Sequence, residues 1–313
     1  MKKLINLVAG LVAAALLCVA SVSPSCAQTT LYVSGGGTDS NPCTLAAPCL
    51  SIHHAQALSG NGGTVICLDA GPYTEPGSSI LVSFTLDCRG VVYSSGSNFA
   101  FNVQNAVVVT FRHVIFDGSK GGSGAVQIGG GKVVFENCTF QNFTTSPGIG
   151  VQFEPSIAGS QLTVTDSVFT NNGTPAQGGG IILEPTAAAS VVIERTQVTS
   201  NTYGIFAGGI FGTILVEVRY STIANSVFDG IWANSPSGSV SSIVVEHSAS
   251  VRNGGNGVNA QGPVAYVSLK DSTVDWNGTG LNTGSGGTIL SYQNNTIAGN
   301  LHPGVTPVSV SQQ

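Results

Sequence analysis

The sequence predicts an all-β protein whose single chain winds into a parallel β-helix, a solenoid of short stacked strands. Three observations predict it. A loose phrase such as "SLKDSTVDWNGTGL" returns at intervals in the twenties, and each copy carries two apolar columns two residues apart. The composition, with 42 Gly, one Met and 8% charged residues in 313, lacks the material for long amphipathic helices.

The repeat aligns on one apolar residue per copy: Phe116, Phe140, Phe169, Val198, Ile223, Ser250, Val274 and Ile297. Seven residues before this anchor stand Val109, Val133, Leu162, Val191, Val216, Ile243, Val267 and Leu290. Five before it stand Phe111, Phe135, Val164, Ile193, Val218, Val245, Leu269 and Tyr292. Apolar positions two apart lie on one face of a strand, so both columns are expected to point inward. The position between them and the bend is polar in every copy: Arg112, Glu136, Thr165, Glu194, Arg219, Glu246, Lys270 and Gln293. It is expected to face solvent. Small polar residues follow (Ser167, Thr196, Ser221, Ser248, Ser272, Asn295), and then, three past the anchor, Asn172, Asn201, Ser226, Asn253, Asn277 and Asn300. Asn tolerates left-handed backbone at a sharp bend, and stacked amides can bond along a ladder. Gly-Ile or Gly-Val pairs such as Gly230-Ile231 then open another short strand. Each copy is thus one coil, about 4.8 Å from the next, and buries its inner face only against neighbours that carry the same face.

The ends are read differently. Lys2 and Lys3, the apolar run "LINLVAGLVAAALLCVA" and the small residues of "SCAQ" make residues 1–27 a signal peptide, with a lipid-modified Cys26 as the lesser alternative. Nothing later is apolar for long enough to span a bilayer as a helix. Without those residues, eight bases face fifteen acids, which disfavours nucleic acid as a partner. An exported chain permits disulfides, and we pair Cys43 with Cys49 and Cys67 with Cys88, leaving Cys138 single and buried. A zinc site has no CxxC or His pair to support it, so no metal is expected.

The opening segment "LYVSGGGTDSNPCTLAAPCLSIHHAQAL", followed by "GGTVICLDAGPYTE", together with the repeats, resembles the right-handed parallel β-helix proteins of the pectin-lyase-like superfamily. The resemblance implies right-handed coiling, with an N-terminal strand and short capping helix over 28–62. It also implies a β-helix over 63–305, and 306–313 is left as a tail. It is specific for fold and weak for activity, because this architecture hosts lyases, hydrolases, epimerases and non-enzymes. The hydrolase branch's short motifs (Asn-Thr-Asp, paired Asp, Gly-His-Gly, Arg-Ile-Lys) do not occur, nor do GxSxG, HExxH or a P-loop.

Two constellations compete for the chemistry. Glu194, Glu217, Glu246, Tyr220 and His247 are the catalytic candidates, with the two outer acids about 10 Å apart and Tyr220 beside His247 as an acid–base pair. Because Glu194, Arg219, Glu246 and Lys270 alternate in sign, a register-pinning charge ladder is the stronger reading of that column. On the strand after the Asn bend, the residue after the inward Ile or Val should face out. That gives Ile182, Phe206, Trp232, Asn259 and Asn282, with Phe206 beside Trp232 as a stacking surface for sugar rings with amide neighbours, which Trp276 extends. The expected function is therefore an exported bacterial protein, secreted, periplasmic or at the cell surface, that binds carbohydrate or another extended partner along a strand face. A polysaccharide lyase, glycoside hydrolase or epimerase is one alternative, and a structural or adhesive protein is another. No cofactor is expected, and calcium enters only for a lyase.

Overall fold

The computed structural model describes residues 29–96 and 98–311; the expected signal peptide lies outside them. The chain is a right-handed parallel β-helix of about ten turns, with one short helix among the described residues. Every coil contributes one strand to each of three sheets, of twelve, ten and ten strands. The first sheet runs through strands such as Ala189–Glu194, Ile214–Arg219 and Ser241–Glu246, and the second through three-residue strands such as Gln197–Thr199. The third includes Gly179–Leu183, Tyr203–Gly208, Ile231–Asn234 and Asn256–Gln261.

Equivalent residues stack in register, as the repeat requires. Leu162 pairs with Val191, Val191 with Val216, and Val216 with Ile243, all of them buried. In the earlier coils two other inward columns hold aromatic rings: Phe111 stacks on Phe135 at 5.1 Å, and Phe140 on Phe169 at 4.2 Å. Such stacks add to the area these rings bury.

Two side-chain ladders fasten the corners. Between the first and second sheets, hydroxyls of successive coils accept from the backbone N–H of the coil before. Cys138 N donates to Ser167 Oγ, Thr196 N to Ser221 Oγ, Ser221 N to Ser248 Oγ, and Ser272 N to Asn295 Oδ1. The same hydroxyls donate to the carbonyl two residues back, as Ser221 does to Arg219 at 2.7 Å. Cys138 occupies the first rung of this column, buried and unpaired, while Cys43–Cys49 and Cys67–Cys88 are bonded.

Between the second and third sheets runs the Asn ladder, in two lengths. Asn172 donates to Asn201, and Asn253 to Asn277 to Asn300, each at 2.9 Å. Ser226 breaks the series; its Oγ is buried without a partner. The left-handed residue at this bend is not the ladder Asn, as expected from sequence, but the residue before it: Asn171, Ser200, Asn225, Arg252 and Trp276. That residue turns the chain, and the Asn that follows is thereby aimed inward to bond. The glycine after the bend answers to the ladder too. A Cβ on Gly230 would stand 2.5 Å from Asn253 Nδ2, and one on Gly257 would stand 2.5 Å from Asn277 Nδ2. Close approach, rather than backbone freedom, requires Gly there.

The N-terminal end is plugged. Thr30–Val33 pairs with Gly63–Cys67, and helix α1 (Ile52–Ser59) covers the first coil. Ser51 Oγ accepts from His54 N, while the buried Glu75 accepts from Ile52 N and His53 N and holds Ser78 Oγ at 2.6 Å. These partners satisfy N–H groups that a helix start leaves free.

The last coil departs from the expected alignment. Val267 pairs with Ile289 and Leu269 with Ser291, so Ile289 and Ser291 point inward, not Leu290 and Tyr292. The bend there carries one extra residue, with the left-handed position at Gln293, and a one-residue slip reverses the faces of a strand. The expected tail also contributes a strand, Val308–Ser309, to the first sheet. Among the described residues no helix is long and apolar enough to cross a membrane.

Candidate functional site

The charged column on the first sheet pairs off. Lys270 Nζ lies 2.6 Å from Glu246, Arg195 binds both Glu194 and Asp166, and Arg219 reaches Glu217 on its own strand at 3.3 Å. The hydrogen bond and charge of Lys270 hold the Glu246 carboxyl below its ordinary range. Tyr220 stacks on His247 with ring centroids 5.0 Å apart, both on left-handed backbone at the bend between the first two sheets. His247 lies 3.7 Å from Glu246 and 3.8 Å from Asp271. Glu194, Glu217 and Glu246 thus each face a cation rather than converge on one another.

The third sheet is different. Its outward residues form one column, rung by rung: Asn102, Gln127, Gln152, Ile182, Phe206, Trp232, Asn259 and Asn282. Period-two alternation puts them outside, since Ile205 and Ala207 on either side of Phe206 are buried in the core. Phe206 meets Trp232 edge-on at 4.8 Å, and Tyr203 tilts against Trp232 at 5.7 Å. Ile182, Ile149 and Phe99 form a small apolar cluster outside the main core, with Phe206 packed on it. Gln152, Ile182, Phe206 and Trp232 floor a groove of about 330 Å³, bordered by Gln177 on one side and Glu184 on the other. A second depression, of about 400 Å³, continues along the column at Asn102 and Gln127 to Glu154.

The amides beyond the aromatics are less free than their alternation suggests. Asn259 is 2% exposed; its Nδ2 donates to Asp229 at 2.7 Å and its Oδ1 accepts from Asn282. Trp276 does not extend the platform. It occupies the left-handed position at the corner between the second and third sheets, 67% exposed, because the bend turns it away from the strand face.

The residues that sequence reasoning missed are Tyr203, Gln152 and, above all, Glu154 and Glu184. Leu183 and Phe153 pair in register, so the two acids that follow them stand on adjacent rungs at the C-terminal edge of the face. Gln127 and Gln152 donate to Glu154, whereas no hydrogen bond or ion pair reaches the Glu184 carboxylate among the described residues. Burial first, and then the charge of Glu154, raise the Glu184 carboxyl above its ordinary range. A signal was present: "FEPS" and "LEPT" place Glu-Pro at the same point of consecutive coils. The loops that hold Pro147 and Gln177 form the opposite border of the same groove.

Comparison with known proteins bears on the fold. A family described as right handed beta helix region matches residues 59–213. No curated protein matches the sequence. Among solved structures, that of pectate lyase Pel9A superposes with a TM-score of 0.60 at 16% identity, covering 91% of this chain and 78% of that one. The A-module of mannuronan C-5 epimerase AlgE4 from Azotobacter vinelandii gives 0.47 at 15% identity, covering 90% and 100%. A GH136 lacto-N-biosidase from Eubacterium ramulus gives 0.48 at 10%, covering 90% and 67%. At these identities the likeness is one of coiling alone.

Proposed function

We propose that this right-handed parallel β-helix, of the pectin-lyase-like type, binds an extended glycan along the outer face of its third sheet. The observation that carries the reading is the continuous outward column in which Ile182, Phe206 and Trp232 are flanked on both sides by amides, with a groove over its aromatic part. Aromatic rings cover the apolar faces of sugars, and amides serve their hydroxyls. The two disulfides and the absence of a membrane-crossing helix among the described residues fit an extracellular location, to which the signal peptide expected at 1–27 would direct the chain. The test is retention on a panel of immobilised glycans. Wild-type protein should be held by at least one of them. Trp232→Ala should elute earlier while keeping the β-sheet circular dichroism of the wild type. Wild-type elution in the void volume from every glycan sinks the reading.

A second reading, cleavage of the bound glycan, is favoured by Glu184 and Glu154. Adjacent rungs hold the two backbones about 4.8 Å apart, close to the carboxyl spacing of about 5–5.5 Å used by retaining glycosidases. In that reading Glu184, whose carboxyl burial raises above its ordinary range, gives its proton to the glycosidic oxygen as the C–O bond breaks. The Glu154 carboxylate, held by Gln127 and Gln152, attacks the anomeric carbon, and water then hydrolyses the ester while Glu184 takes back a proton. Release of reducing ends that persists in Glu184→Gln excludes this role.

A further inference from the structure

We propose that the groove selects uncharged glycans and turns away uronate chains; this rests on the reading that the third sheet is a glycan-binding face. The ten strands of that sheet contain no Lys or Arg. Arg89 stands beside Asp69 and Asp87 in a depression near the N-terminal end, and Lys132 opens a first-sheet strand, Lys132–Glu136. Arg112, Arg195, Arg219 and Lys270 pair with acids along the first sheet, and Lys120 lies over the ring of Tyr93. Arg252 stands on the bend that leads into Asn256–Gln261, the rung beyond Trp232, and is the base nearest in sequence to that part of the face.

The charged groups that do border the column are all carboxylates: Glu154, Glu184 and the buried Asp229. They also consume the column's donors. Gln127 and Gln152 spend an N–H on Glu154, Asn259 spends one on Asp229, and Asn282 spends one on Asn259. What remains is acceptor oxygens, the second amide N–H groups and the unpartnered Trp232 Nε1–H, with no cation among them. A sugar hydroxyl can donate to such a surface, whereas an ionised uronate carboxylate is an acceptor only and meets charge of its own sign with no guanidinium or ammonium to receive it.

The experiment is calorimetric titration of the full chain, in low salt with EDTA, using neutral hexasaccharides (cello-, manno-, xylo- and laminarihexaose) and hexagalacturonate. At least one neutral chain should bind, with hexagalacturonate at least about tenfold weaker. The gap should narrow in high salt and in Glu154→Gln/Glu184→Gln. The wild-type comparison stands even if that double variant does not fold. Hexagalacturonate binding as tightly as the best neutral chain, or doing so once calcium replaces EDTA, overturns the selectivity while leaving the glycan-binding reading intact. No binding by any of the five sugars overturns both.

Discussion

Asn277 is the ladder position whose loss can be reckoned most directly. It is buried, its Oδ1 accepts from Asn253 N and Nδ2 at 2.9 Å, and its Nδ2 donates to Ser250 O and to Asn300 Oδ1, also at 2.9 Å. In Asn277→Ala, Asn253 Nδ2 keeps Ser250 Oγ and Asn300 Oδ1 keeps Asn277 N. The Asn253 N–H loses its buried partner, while the Ser250 carbonyl keeps its strand bond and loses only the second. At about 1–3 kcal/mol for the first and about 0.5–1.5 kcal/mol for the second, the variant should lose about 1.5–4.5 kcal/mol. Urea unfolding followed by circular dichroism reads the loss, and hydrogen exchange at the Asn253 amide locates it. A solenoid is held by nearest-neighbour contacts, so the last coils should open before the rest and broaden the transition. Asn171→Gly, at an exposed left-handed position, is the control and should change stability by less than about 0.5 kcal/mol. If Asn277→Ala costs no more than that control and Asn253 keeps its protection, the ladder does not fasten the coils and the argument fails.

Other outcomes follow from the same geometry. Burial raises the Glu75 carboxyl from 4.5 to about 7, so its contribution to stability is full below pH 4.5 and is lost as pH rises through about 7. Glu75→Gln should flatten that fall in urea midpoint between pH 4.5 and 8, and an unchanged slope would count against it. Lys270→Met breaks a half-exposed pair and should cost less than about 1 kcal/mol, with the cost vanishing in high salt and glycan retention untouched. Cys138, whose thiol burial pushes up to about 12, should resist Ellman's reagent until the protein unfolds. Cys138→Ser should fold within about 1 kcal/mol of wild type, because the other rungs of its column carry a hydroxyl or an amide.

The coiling was legible because it is a matter of period: Val191, Val216 and Ile243 fall in one column whatever the loops between them do. The last coil was misaligned by one residue because its anchor, Ile297, was counted across a bend that had silently grown. The left-handed position was misplaced for a different reason. Asn is suited both to turning the chain and to bonding in a ladder, and composition cannot say which of two adjacent residues does which, as Asn171 and Asn172 show. Phe206 and Trp232 were found by alternation, yet Trp276 looked equally suitable. Only the direction of the bend separates it from the face. Glu154 and Glu184 were passed over because the search for acids followed the richest charge column, on the first sheet, where charges neutralise one another. Glu184 has no hydrogen bond or ion pair to its carboxylate among the described residues, and partnerlessness cannot be seen in a string.

The gap at Ser226 gives the molecule a seam. The amide staples hold two stretches of coil, and the turn that carries Trp232 begins where they stop. There, among the described residues, Asn201 and Ser226 share no side-chain hydrogen bond, and the corner is bridged by main-chain bonds such as Val227 N to Asn201 O at 2.9 Å and by the rings of Tyr203 and Phe228. A long chain lying over Phe206 and Trp232 would straddle that seam, so tension along such a chain would fall on a rung that no amide staples at its corner.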